Sequence, residues 1–127
     1  MGTNFYLRNK KPRLVYDETH IAKTSWGWKP SFECHAGEIE SVKQLKTVYD
    51  SGEYTIVDEY GDEYTWEEFD DRVLKWADHQ RELRRENGQE DFEPIDHIEY
   101  AKKDRWCDSK MYYHDEDGYD FLRCEFS

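Results

Sequence analysis

The sequence predicts one α+β domain over residues 1–127, an antiparallel β-sheet carrying two to three helices. Three observations lead there. Short runs of alternating β-branched and aromatic residues recur along the whole chain. Between them lie segments with apolar residues at helical spacing, each opened by a capping residue. No repeat, low-complexity tract or shift of composition divides the chain, so strands and helices belong to one fold. A length of 127 residues allows one modest core, and although only 36% of residues are apolar, 17% are aromatic. Large rings bury much area per residue, which lets so polar a chain fold.

Thr3-Asn4-Phe5-Tyr6-Leu7-Arg8 reads as the first strand, and the basic loop Lys10-Lys11-Pro12-Arg13 ends it, since Pro12 cannot donate to a ladder. Residues 20–35 read as a β-hairpin around Trp26-Gly27-Trp28, with Gly27 the first residue of a two-residue turn. That register sets Ile21 opposite Cys34 with Phe32 beside them on one face. On the other face are Ala22, Glu33 and a directly opposed pair, His20 and His35. Pro30 implies an edge or a bulge nearby.

Ser41 caps a short helix to about Asp50 that buries Val42, Leu45, Val48 and Tyr49, and Ser51-Gly52 ends it. Residues 54–58 form a strand in which Tyr54, Ile56 and Asp58 alternate with Thr55 and Val57, followed by a Tyr60-Gly61-Asp62 turn. Thr65 and Glu68 make a capping box ahead of a helix from Trp66 to about Glu86, whose stripe is Phe69, Val73, Trp76, Ala77 and Leu83. Acids in its first turns and Arg81, Arg84 and Arg85 in its last match the helix dipole, and Asn87-Gly88 stops it. Residues 95–103 form a short helix with Ile95, Ile98 and Tyr100 partly inward. Residues 111–113 and 119–126 close the fold as a hairpin around Asp115-Glu116-Asp117-Gly118.

The charge is distributed unevenly. Between Thr47 and Asp71 stand ten carboxylates and no Lys or Arg, interleaved with Tyr49, Tyr54, Tyr60, Tyr64 and Trp66. Basic residues cluster instead at 8–13, 81–85 and 102–110. A net charge of −12 argues against unaided binding to nucleic acid or an anionic membrane and favours a basic partner. Three widely spaced cysteines, Cys34, Cys107 and Cys124, fit a reducing compartment better than a disulfide framework. No apolar run approaches a membrane span and no signal-peptide core opens the chain, so a soluble intracellular protein is expected.

Chemistry-bearing motifs are few. His20, His35 and Cys34 invite a metal reading, but there is no C-x-x-C and Cys34 should face away from the histidines, so no metal and no cofactor are expected. Aligning Gly118 with the glycine of a calcium loop puts Tyr113 and Cys124 where acids are required, leaving an acidic turn. No nucleophile elbow or phosphate loop is present, so no enzyme is expected. The acidic–aromatic surface remains, with Asp58, Glu59, Tyr60, Asp62, Glu63, Tyr64, Glu67 and Asp70 as candidate partner-binding residues. Composition leaves two readings open: plain solubility, or carboxylates that imitate phosphates and dock on a Lys/Arg-lined channel with aromatic anchors.

Four segments carry a resemblance: Met1-Gly2-Thr3-Asn4-Phe5-Tyr6-Leu7; His20-Ile21-Ala22-Lys23-Thr24-Ser25-Trp26-Gly27-Trp28 with Phe32 and His35; Val57-Asp58-Glu59-Tyr60-Gly61; and Glu125-Phe126-Ser127. In this order they resemble a family of small bacteriophage and prophage proteins. Many members carry a C-x-x-C knuckle after the first strand, where this chain has Asn9-Lys10-Lys11-Pro12-Arg13 without a cysteine. The resemblance implies a phage-encoded protein acting in the host-cell cytoplasm. Accessory proteins of that kind often disarm host nucleases, and several anti-CRISPR and anti-restriction proteins are acidic mimics. The expected partner is therefore a host nuclease, above all a CRISPR–Cas effector, met without direct contact to nucleic acid or membrane. The alternatives are a non-enzymatic accessory or scaffold domain assembling through aromatic edge strands, and a degenerate zinc-knuckle binding module.

Overall fold

The computed structural model describes residues 2–11, 18–89, 91–103 and 111–123. Its centre is a seven-stranded sheet in the order β5-β4-β1-β2-β3-β7-β6. The strands are β1 (Gly2–Asn9), β2 (Glu18–Ser25), β3 (Ser31–Glu33), β4 (Tyr54–Asp58), β5 (Glu63–Tyr64), β6 (Tyr112–His114) and β7 (Asp120–Leu122). All pairs are antiparallel except β3 with β7, so the α+β class holds. Between strands lie α1 (Val42–Asp50), α2 (Trp66–Phe69), a wide π-type turn (Asp70–Leu74), α3 (Trp76–Glu86) and α4 (His97–Lys103).

Register explains where the core sits. Directly paired residues share a face, and one row runs across six strands: Asp58, Phe5, Ala22, Phe32, Phe121 and Tyr113. The four apolar residues inside that row are at most 1% exposed. Leu7, Ile56 and Tyr64 form the neighbouring row. Val42 and Leu45 of α1, Phe69 of α2 and Val73 of the wide turn close over these rows as one cluster. Phe5 meets Tyr64 and Phe69 edge-on, while Phe32 stacks on Phe121 at 5.2 Å and Phe121 on Tyr113 at 5.4 Å. Each fully buried side chain of this size contributes about 1.5–3 kcal/mol, more than a net backbone hydrogen bond, so the rings set the register.

The hairpin of β2 and β3 departs from expectation. Ala22 faces Phe32 and Lys23 faces Ser31, a one-residue slip from the register read in the sequence. Residues 26–30 make a longer loop than a two-residue turn, and β3 is only three residues long. The slip is held from outside the hairpin. Phe5 pairs with Ala22 but Tyr6 with His20, so Ile21 is an extra residue bulged against β1. Adjacent Ile21 and Ala22 thereby both reach the buried cluster. His20 does not oppose His35; its ring stacks on Tyr6 at 4.8 Å, and Nε2 of His35 lies 2.8 Å from the His20 carbonyl oxygen.

Ser41 caps α1 as expected, accepting a hydrogen bond from the Gln44 N–H, and the Thr65/Glu68 capping box is present in both directions. The long helix is not continuous. At residues 70–74 the Lys75 N–H donates five residues back to the Asp70 carbonyl, inserting a residue in the turn. One added residue rotates the rest of the helix by about 100°. Phe69 and Val73 are buried as expected, Trp76 and Ala77 are half-buried, and Leu83 is turned out, 42% exposed. The buried residue of α3 is Gln80, at 0%. Its amide accepts from the Gly27 N–H and donates to the Trp28 carbonyl at 2.8 Å, pinning the β2–β3 loop to α3. Trp76 Nε1 adds a bond to the Ser25 carbonyl at 3.1 Å.

α4 begins at His97, two residues later than expected, with Ile98 and Ala101 buried. Ile95 precedes the helix and bridges to Trp28, so it stays 42% exposed, and Tyr100 at 44% covers the Trp28 ring edge-on rather than turning inward. The closing hairpin forms as β6 and β7, while 124–126 of its expected second strand, with Pro12, Arg13, Cys107 and Cys124, lie outside the described residues.

Candidate functional site

Two of the acidic stretches are turns of one design. Asp58-Glu59-Tyr60-Gly61 and Asp115-Glu116-Asp117-Gly118 share the pattern Asp-Glu-x-Gly and fold alike. Asp58 Oδ1 accepts from the N–H groups of Tyr60 and Asp62 at 2.9 and 3.0 Å, and Asp115 Oδ1 from those of Asp117 and Tyr119 at 3.1 and 2.8 Å. In each, the glycine takes a positive φ of 86° that an L side chain resists. The second oxygen of each aspartate ties its turn to the rest of the fold. Asp58 Oδ2 accepts from the Tyr64 hydroxyl at 2.7 Å, and Asp115 Oδ2 from the Val42 N–H at 2.9 Å, at the start of α1.

Asp58 is thus not a surface acid. It ends the core-facing row opposite Phe5, is 5% exposed, and organises its turn from within. Burial pushes its carboxyl up, but the bonds from Tyr64, Asp62 and Tyr60, with Arg72 nearby, outweigh this and hold it below the usual range. Tyr64 also turns inward, 9% exposed, its hydroxyl pushed up to about 12 by burial and by the bond to Asp58. Of the candidate partner-binding residues, these two are structural in placement. The reason is parity: Ile56, Asp58 and Tyr64 share the sheet's inner face through β4 and β5.

The others are displayed outward or at the rim. Glu59, Tyr60, Asp62 and Glu63 run over the turn and the edge strand, and Glu67 follows in α2. Tyr60 is 76% exposed, and among the described residues Glu59, Asp62, Glu63 and Glu67 enter no ion pair. Glu59 is anchored at its base, its Oε1 accepting from the Asn4 N–H at 3.0 Å. Asp70 is half-buried, with Lys75 3.9 Å away. A groove beside this face is lined by Tyr49, Tyr54, Tyr64, Glu63 and Glu68, with Lys10 as its one basic residue among those described. Tyr49 of the groove pairs with the Trp66 ring at 5.8 Å, and Tyr60 stands exposed on the turn.

Arg81 and Arg84, in the basic cluster of α3, are engaged with the fold itself. Arg81 bonds both oxygens of Glu93 at 3.1 and 2.9 Å and also reaches Asp78, and Arg84 lies over the rings of Trp26 and Phe92. Among the described residues, basic groups do approach the acidic face: Arg72 near Tyr64, Lys75 near Asp70, Lys10 in the groove wall, and Lys46 over the Trp66 ring.

A second constellation was not legible in sequence. Asp96, His114 and Asp120 converge where the start of α4 meets the β6–β7 hairpin. His114 Nε2 lies 2.7 Å from Asp96 Oδ2 and 3.2 Å from Asp120 Oδ1, and Lys29 Nζ is 2.8 Å from the same Asp96 oxygen. His97 bonds Asp120 Oδ2 with both its N–H and Nδ1. Burial would raise the Asp96 carboxyl, but Lys29 and His114 hold it far below the usual range. The only local hint was Asp96 before Ile98 and Glu99, a helix-capping pattern, and its Oδ1 does accept from both N–H groups.

No family model matches the chain, and no curated protein or solved structure matches it either.

Proposed function

We propose that the protein acts by binding, and that the face bearing Glu59, Tyr60, Asp62, Glu63 and Glu67 docks on a basic, nucleic-acid-binding surface of a partner protein. The resemblance to small phage proteins makes a host defence nuclease, in particular a CRISPR–Cas effector, the class of partner. What carries the reading is the state of these carboxylates: exposed, in no ion pair within the described residues, and presented by β5, the start of α2 and a turn that the buried Asp58 organises. Unpaired acids fixed around exposed aromatics supply long-range attraction to a basic channel, and the rings then slow dissociation. Assembly through edge strands is the weaker reading, because the edges β5 and β6 have only two and three residues.

The test is a pull-down from nuclease-treated bacterial lysate with the tagged protein, at about 50 mM and about 500 mM salt, where the screening length falls more than threefold. A nucleic-acid-processing nuclease retained at low salt, released at high salt and displaced by heparin is the expected result. Recovery of only the protein itself, or of phage structural proteins, overturns the proposal.

A further inference from the structure

We propose that Asp96, His114 and Asp120 form a three-ligand site for a first-row divalent metal ion such as zinc. This is independent of the acidic docking face, which lies at the other edge of the sheet, on β5 and the turn that joins it to β4.

The first observation is geometric. One atom from each residue, Asp96 Oδ2, His114 Nε2 and Asp120 Oδ1, lies within 4.8 Å of the others. Zinc bonds of about 2.0–2.2 Å at a tetrahedral angle place ligand atoms about 3.3–3.6 Å apart. To accept an ion, the pair at 2.7 Å must open by about 0.6–0.9 Å and the pair at 3.2 Å by about 0.1–0.4 Å. Register creates this arrangement: His114 pairs directly with Asp120, and Asp120 alternates with Phe121, so both point away from the aromatic core row.

The second observation is an oxygen left over. Asp120 is 1% exposed, and its Oδ2 takes two bonds from His97, yet Oδ1 has no hydrogen-bond partner among the described residues. The nearest donor, His114 Nε2, is 3.2 Å away and spends its bond on Asp96. A buried carboxylate oxygen with no hydrogen bond among the described residues, its nearest donor a histidine committed elsewhere, is costly. Here it is aimed at the point where Asp96 and His114 converge. His97 fixes the rotation of that carboxylate as outer-shell partners do for metal-bound acids.

The donor set selects the ion. One imidazole nitrogen and two carboxylate oxygens suit zinc or manganese, whereas magnesium and calcium prefer all-oxygen cages. Binding requires Nε2 of His114 as a lone-pair donor, so any proton there leaves to solvent as the ion enters. His114, with 39% of its side chain exposed, leaves the outer side open to water, which gives three protein ligands and a free position. Lys29 keeps its contact with Asp96 but repels a cation, which weakens the site and supplies a diagnostic variant.

The experiment uses the full chain, stripped with a chelator and titrated with zinc chloride by calorimetry, with magnesium chloride as a parallel arm. About one zinc ion per chain should bind, raising the melting temperature, while magnesium binds far more weakly. His114→Gln, on a partly exposed side chain, should fold without metal and lose at least about 100-fold in zinc affinity, since loss of an outer-shell partner alone costs about 10- to 100-fold. Lys29→Gln should bind zinc more tightly than wild type. Cobalt substitution should give a spectrum without thiolate charge-transfer bands, separating this site from one built on cysteines. Absence of saturable zinc binding, zinc affinity unchanged in His114→Gln, or thiolate bands with cobalt overturns the proposal.

Discussion

Single side chains carry unusual weight in this protein, and Asp58 carries the most. It serves two N–H groups and one hydroxyl at once, and no neutral residue of its size reproduces all three bonds. Asn offers one oxygen for the turn but presents an amide to the Tyr64 hydroxyl. Asp58→Asn should therefore cost about 1–3 kcal/mol, the usual penalty for stranding buried polar groups, measured by urea unfolding near neutral pH. The pH dependence has a definite sign. The carboxyl of folded Asp58 lies below its unfolded value, so its contribution is complete above about pH 4 and fades as pH falls through the folded value. The gap between wild type and Asp58→Asn should narrow in acid; a constant gap would mean the charge is not what the turn uses. Gln80 is the second such residue. Gln80→Leu keeps the volume but strands the Gly27 N–H and the Trp28 carbonyl, and should cost about 1–3 kcal/mol despite adding an apolar group to a buried site. If Gln80→Leu is neutral or stabilising in the same unfolding assay, the loop does not depend on the amide.

Among the elements, those governed by local chemistry were legible in the sequence and those governed by distant contacts were not. α1 with its Ser41 cap, the strand 54–58 and the Thr65/Glu68 capping box are set by neighbours within a few residues. The β2–β3 register was not, because the bulge at Ile21 is imposed by β1 and the loop is tied down by α3. The wide turn at 70–74 leaves no mark in apolar spacing up to Val73, yet it rotates Leu83 out. The inward turn of Asp58 was visible in strand parity, but its exposure was misjudged because an acid is ordinarily a surface residue. The Asp96–His114–Asp120 group had no spacing to betray it, since strand pairing brings 114 to 120 and the packing of the α4 start against the hairpin brings Asp96 to both. The broken helix makes its own prediction. Phe69→Ala, at 0% exposure beneath Phe5 and Trp66, should cost about 3–5 kcal/mol. Trp76→Ala should cost distinctly less, because Trp76 is only half-buried beside Trp26. Equal losses for the two, by denaturant midpoint at constant slope, would contradict the packing described.

At the scale of the whole molecule, the fold sorts its charge. Arg81 and Arg84 are occupied by Glu93, Asp78 and aromatic rings, and the acids of the two Asp-Glu-x-Gly turns are partly turned inward as scaffolding. What is left over is an acidic face on the turn after β4, on β5 and on α2, beside a groove lined by tyrosines, acids and Lys10. That is where the net charge of −12 becomes directional. The decisive measurement compares two fourfold neutralised variants that leave Asp58 and Tyr64 intact. One replaces Glu59, Glu63 and Glu67 with Gln and Asp62 with Asn; the other replaces the exposed Glu38, Glu82 and Glu86 with Gln and Asp91 with Asn. Both should fold, since exposed substitutions usually fall within about ±0.5 kcal/mol each. Affinity for the nuclease recovered in the pull-down is then followed across a salt series. The face variant should bind at least about tenfold more weakly with a flattened salt slope, a loss of about 1.4 kcal/mol, while the control keeps the wild-type slope. Equal affinity and equal salt slope in the two variants would contradict the account and reduce the acidic face to a solvated surface.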